Sequence, residues 1–145
     1  MRLDTVRMYL CLWIAAWAPF TSTSATAGDE DDYVRRLAAL VNQYRQSKGR
    51  PALAVDGTIA KLASEHSLAM SKSGQLNHDG FQSRVTRSGF PMCVENVGWN
   101  YPSAKGQFDA WRASPGHDRN MLDARVNRVG IGFAARYVTM IACGR

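Results

Sequence analysis

Trp111-Arg112-Ala113-Ser114-Pro115-Gly116-His117-Asp118-Arg119-Asn120-Met121-Leu122 is the stretch around which this chain is organised. A helical segment ends at Ser114-Pro115-Gly116, and a polar cluster follows at once. Pro115 has no amide donor and Gly116 tolerates positive φ, so a sharp corner is expected there. Such a corner presents His117 at the end of an element instead of burying it in the middle of one. Two earlier stretches carry matching chemistry: Leu76-Asn77-His78-Asp79-Gly80 and Cys93-Val94-Glu95-Asn96-Val97-Gly98-Trp99. His78, His117 and Glu95 each sit beside a turn or a strand, which points to a shared cleft.

Working outward, the residues before the corner read as helices. Val34, Leu37, Ala38, Val41 and Tyr44 fall at helical spacing behind the acidic lead-in 28–32, and Lys48-Gly49 and Pro51 end that segment. Leu53 and Val55 form a short extended link. Asp56 is suited to cap a second helix whose apolar stripe is Ile59, Leu62, Ala63, His66 and Met70, with Gly74 at its end. His66 on that stripe reads as a core histidine bonded to a backbone carbonyl, and Glu65 beside it reads as solvated. Asp79 is expected to cap a third helix from Gly80 to Ser88 with Phe81 and Val85 inward. Met92 to Trp99 reads as a strand, with Val94 and Asn96 on one side and Glu95 and Val97 on the other. Ala104 to Ala113 is a fourth helix. After the corner, alternation around Val129, Ile131 and Phe133 and again around Val138, Met140 and Ala142 predicts two antiparallel strands turning near Ala135-Arg136. The expected architecture is α+β: a small, mainly antiparallel central sheet with helices on both faces.

Of the 145 residues, the first 27 read as a signal peptide: Arg2 and Arg7, an apolar run from Met8 to Phe20, then a small-residue site ending Ala25-Thr26-Ala27. The apolar run is too short for a spanning helix, so no stable membrane span is expected after cleavage. One domain, residues 28–145, remains. Cys11 would leave with the leader, and the even pair Cys93 and Cys143 in an exported domain suggests a disulfide. The net charge of +6 is not concentrated, since no Lys/Arg run exceeds two residues. A soluble basic surface is therefore expected, and nucleic acid is not an expected partner.

The polar blocks allow three chemistries. His78, Glu95 and His117 could hold Zn²⁺ or another divalent cation with one open position, which would support hydrolysis, although their spacing forms no local chelate. Ser114, three residues before His117, could be a nucleophile with Glu95 orienting the ring, but no G-x-S-x-G elbow is present. Its hydroxyl is better read as bonding nearby backbone at a helix end. The third reading is a hydrogen-bonded polar cleft completed by Asn77 and Asn96. Trp99, Tyr101 and Trp111 either line a groove or belong to the core, and core is the reading favoured.

Taken together, Asn77-His78, Glu95-Asn96-Val97-Gly98, Trp111-x-x-Ser114-Pro115-Gly116-His117 with Asn120, and Val129-Gly130-Ile131-Gly132 resemble the CAP superfamily of cysteine-rich secretory, antigen 5 and pathogenesis-related proteins. The corner is similar to that of its small bacterial members. The resemblance implies an α-β-α sandwich and a central cleft with two His and two acidic residues. His78, Glu95 and His117 match three of those positions. The fourth, a Glu in many eukaryotic members, falls at Ser114. Cleft residues His78, Glu95, Ser114 and His117, supported by Asn77, Asn96 and Asn120, are thus the expected site. The resemblance also implies an extracellular or periplasmic address, and it brings divalent metal, sterol or fatty-acid binding and, for a few members, proteolysis as family properties. The function expected is a secreted binding or interaction module at the envelope or a host surface, with a small lipid or surface ligand as partner. A metal-dependent or serine-type hydrolase in the same cleft is the alternative.

Overall fold

The structure is a computed structural model and describes residues 27–144. The expected leader lies outside the described residues apart from the backbone of Ala27. In chain order the elements are α1 (Ala27–Ser47), β1 (Ala54–Val55), α2 (Gly57–Ser73), α3 (Phe81–Ser88), β2 (Met92–Trp99), α4 (Ala104–Ala113), α5 (Pro115–Met121), β3 (Arg128–Ala134) and β4 (Tyr137–Gly144). No helix among the described residues is long and apolar enough to cross a membrane.

The helix ends follow from local chemistry. Asp56 accepts a hydrogen bond from the amide of Ile59 at 3.0 Å and starts α2, while Gly74, at φ 69°, ends it. Ser103 starts α4 by accepting from the amide of Gly106. Two sequence expectations need correction, and a third is made more specific. The stretch after Ser114 is a helix, because Pro115 with its fixed φ suits the first helical position and so starts α5 as well as ending α4. Asp79 does not cap α3. Gly80 occupies that position at φ 72°, and the Asn77 side chain accepts the amide of Asp79 to form the turn before it. The extended link at Ala54–Val55 is a two-residue strand paired in parallel with β3.

The sheet order is β1-β3-β4-β2, antiparallel except for β1. Alternation along β4 divides the core. Val138, Met140 and Ala142 join Leu37, Val41, Phe108, Trp111 and Met121 under α1, α4 and α5. Ile141 and Cys143 join Ile59, Leu62 and Ala63 of α2 on the other side. The result is the expected α-β-α arrangement. Each large side chain buried this way contributes about 1.5–3 kcal/mol over leaving it in water.

Glycines set how closely α2 approaches. A Cβ at Gly130 would lie 2.1 Å from the amide nitrogen of Ala60, and one at Gly132 would lie 2.2 Å from that of Ser64. Ser67 then donates from its hydroxyl to the Gly132 carbonyl at 3.0 Å. On the opposite layer, buried Arg45 donates to the carbonyls of Pro51, Met121 and Asp123 at 2.8–2.9 Å, fastening the end of α1 to the chain beyond α5. Cys93 and Cys143 face each other across the β2–β4 ladder and are disulfide-bonded, closing a separation of 50 residues. On the chain-entropy account that cross-link contributes about 4 kcal/mol.

Candidate functional site

Strand β2 is an edge of the sheet, and the polar blocks of the sequence gather along it. An exposed strand edge carries unpaired carbonyl and amide groups. Here side chains from α4 and α5 cover part of that edge. The Trp111 indole donates to the Val97 carbonyl at 3.0 Å, and the Asn120 side chain donates to the Glu95 carbonyl at 3.0 Å. Asn120 also donates to Asn96 Oδ1 at 2.9 Å, and Asn96 Nδ2 donates to the His117 carbonyl at 3.0 Å. Asn96 and Asn120 thus tie α5, and His117 with it, to β2.

Successive residues of a strand face opposite sides, so Glu95 and Asn96 diverge. Glu95 points towards α2 and α3, and its side chain is 1% exposed. Arg84 of α3 grips both of its oxygens: Nε donates to Oε2 and a terminal nitrogen donates to Oε1, each at 2.7 Å. The other Arg84 terminal nitrogen donates to the Asp79 carbonyl at 2.7 Å. His78 Nδ1 lies 2.8 Å from Oε1. His66 Nε2 is hydrogen-bonded to the Asn77 carbonyl at 3.0 Å, and it is 3.9 Å from Glu95 Oε1. The expectation of a core histidine bonded to backbone therefore holds, and His66 also stands beside the carboxylate. Burial pushes the His66 imidazole below its ordinary value and neighbouring Arg84 and His78 add to this, against the Asn77 carbonyl bond and Glu95. Glu65, by contrast, is exposed and paired with Arg87 on the surface.

Beside the same strand, β2, lies a cleft of about 330 Å³, with Leu76, Trp99, Tyr101, Gln107, Ser114 and His117 in its lining. Burial, and secondarily the charge of His78, hold the His117 imidazole below its usual value. Its ring stands 6.4 Å from that of Trp111. Trp111 is core, as expected, but Trp99 and Tyr101 are half exposed and form cleft wall instead. Ser114 lines the cleft without the expected hydroxyl-to-backbone cap. Its main chain does that work, the amide donating to the Trp111 carbonyl and the carbonyl accepting from Asp118. No hydrogen bond among the described residues joins the Ser114 hydroxyl to His117.

The structure brings His78 and Glu95 into direct contact and places the His117 side chain in the neighbouring cleft. No three His, Cys, Asp or Glu side chains among the described residues form a metal-holding group. Both Glu95 oxygens are occupied by a guanidinium, whose positive charge would also oppose a cation beside it. Sequence reasoning missed Arg84 and Gln107. Both carried a signal, because Arg84 lies three residues after inward Phe81 and Gln107 lies four before Trp111, on the buried stripe of each helix.

The sequence model of the cysteine-rich secretory protein family, CAP, matches residues 38–138. The chain belongs to the CAP family. It is 30% identical over 130 residues to the uncharacterized protein YkwD of Bacillus subtilis, an alignment covering 81% of this chain and 49% of the relative. The chain thus spans about half the length of the curated relative it matches. Among solved structures it superposes on an extracellular SCP-domain protein of Bacillus anthracis with a TM-score of 0.79 at 23% identity, covering 86% of this chain and 45% of that one. It also superposes on an outer surface protein of Borrelia burgdorferi with a TM-score of 0.73 at 16% identity, covering 81% of this chain and 96% of that one. Identities this low carry the CAP fold only. Ser114, the position that the sequence resemblance matches to the family's second acidic residue, lines the cleft.

Proposed function

We propose that this CAP domain is a secreted binding module acting at the envelope or a host surface, with the cleft beside β2 as its binding site. The observation that carries this reading is the Arg84–Glu95 pair. A carboxylate gripped on both oxygens and shielded from water is poorly placed to ligate a metal or to take a proton from substrate. With Glu95 acting as an internal pin, the cleft retains half-exposed aromatic walls, Ser114 and His117, which suit recognition more than bond cleavage. Secretion is supported by the leader-like segment 1–27, by the disulfide and by relatives described as extracellular or outer-surface proteins.

Retention of the folded, disulfide-bonded domain on purified bacterial envelope material and on host-cell surfaces tests this. Trp99→Ala should release the protein from whichever surface retains it, while Glu65→Ala, a surface change outside the cleft, should leave it bound. Hydrolysis of a peptide or ester substrate by the wild type, abolished by Ser114→Ala, would replace the binding module with an enzyme.

A further inference from the structure

We propose that the cleft is a subsite for an uncharged saccharide with Gln107 as its polar anchor, an inference that rests on reading the cleft as a binding site. Gln107 is 1% exposed on the buried stripe of α4, and its side chain forms part of the cleft wall. Its Oε1 is buried without a hydrogen-bond partner among the described residues. An unpaired buried amide oxygen carries a desolvation cost with nothing to offset it. The neighbouring strand accommodates it: a Cβ at Gly98 would fall 2.1 Å from Oε1. Positions 98 and 107 are therefore matched to hold an amide in the wall. The terminal amide torsion is broad and roughly two-fold, so either the oxygen or the NH2 can occupy that position.

The rest of the wall states what that ligand is. Trp99 is 51% exposed, Tyr101 39% and Leu76 51%, so apolar faces stand open to the cleft. The Trp99 ring is propped against Tyr137 at 6.1 Å between centroids. No Asp, Glu, Lys or Arg among the described residues belongs to the lining, and His117 is biased towards its neutral form. A charged ligand would lose its water without meeting an opposite charge. A purely apolar chain would leave Gln107 unpaired and would cover Ser114 and His117. A pyranose offers both surfaces at once: C–H faces to lie on the indole and phenol rings, and hydroxyl or acetamido N–H donors for Gln107. The volume of about 330 Å³ is at the small end of ligand pockets, which suits a short saccharide.

The test titrates N,N′-diacetylchitobiose into the intact, disulfide-bonded domain and follows ¹H–¹⁵N NMR shifts and tryptophan fluorescence, with cellobiose and palmitate titrated in parallel. Saturable binding of a saccharide is expected, moving the Trp99 indole and Gln107 amide signals. Gln107→Leu and Trp99→Ala should each weaken it by about 10-fold or more, the effect of losing one good contact. Gln107→Leu should also keep or raise the thermal midpoint, because it removes an unpaired buried amide, and this separates lost recognition from lost fold. Equal binding in both variants, or no saturation by either saccharide up to about 10 mM, overturns the proposal. If palmitate alone moves the cleft signals, the saccharide assignment falls while the cleft remains a binding site. If surface retention is also unchanged by Trp99→Ala, the cleft reading falls with it.

Discussion

Arg84 and Glu95 form a two-point ion pair at 2.7 Å in the interior, their side chains 8% and 1% exposed. That pair decides how the polar cluster is read. Seen as sequence, His78, Glu95 and His117 look like three equivalent donors. In the fold one of them is already engaged by a guanidinium from α3, His78 contacts that same carboxylate, and His117 lines the neighbouring cleft.

Removing one partner should therefore be costly. Arg84→Ala leaves a carboxylate buried without its charge partner and is expected to lose about 3–5 kcal/mol. The double variant Arg84→Met, Glu95→Leu should recover most of that loss, since an apolar pair of similar volume strands no charge. Urea denaturation of the wild type, the single and the double variant checks both halves. Equal stability of Arg84→Ala and wild type would show that the pair holds nothing in place.

Stability should also fall with acid. The imidazoles of His66 and His117 are held below their ordinary value of 6.5, mainly by burial, so the native state refuses protons that the unfolded chain takes up. The neutral-histidine contribution is complete above pH 6.5 and declines as pH drops through that value towards the lower native ones. The groups around His66 are Glu95, Arg84 and His78. Thermal midpoints at about pH 7.5 and pH 5.5 should show the wild type losing stability, with a smaller loss in His66→Gln. An identical slope in the two proteins would exclude His66 as a source.

Gly132→Ala tests how tightly α2 sits on the sheet. The added Cβ would meet backbone atoms of Ala63 and Ser64 at 2.2–2.4 Å, which no side-chain rotation can relieve. A loss of about 1–3 kcal/mol by chemical denaturation is expected, typical of overpacking a core. A neutral result would mean that α2 can move away freely.

The Cys93–Cys143 bridge should leave no free thiol among the described residues when the oxidised protein is unfolded and titrated. Cys93→Ala, Cys143→Ala should lower stability by about 4 kcal/mol relative to the bridged form. Retention of full stability would point to strong residual structure in the unfolded chain.

Much of this was legible in the sequence because periodicity reports burial. The α2 stripe from Ile59 to Met70, the strand from Met92 to Trp99 and the closing hairpin all follow from it. The glycines of β3 marked alternation, but only the fold shows that Gly130 and Gly132 admit the α2 backbone. Pro115 was ambiguous, since a proline that stops one helix also suits the first turn of the next. Arg45 was not legible as an interior residue, and Arg84 was marked only by its helical spacing from Phe81, which names no partner. Burial of a cation depends on carbonyls and carboxylates supplied from distant parts of the chain, such as Met121 for Arg45 and Glu95 for Arg84. The same dependence hid the exposure of Trp99 and Tyr101, whose aromatic character alone suggested core.

Glu95 is a pinned interior carboxylate beside the cleft proposed to bind an organic ligand. Zn²⁺ calorimetry on metal-stripped protein at about pH 7.5, where imidazole is largely neutral, tests it most directly. Wild type, His78→Ala and His117→Ala should give the same weak or absent heat, with no stoichiometric site. One equivalent of Zn²⁺ bound by the wild type and lost in both variants would contradict the account and place a metal between the two imidazoles.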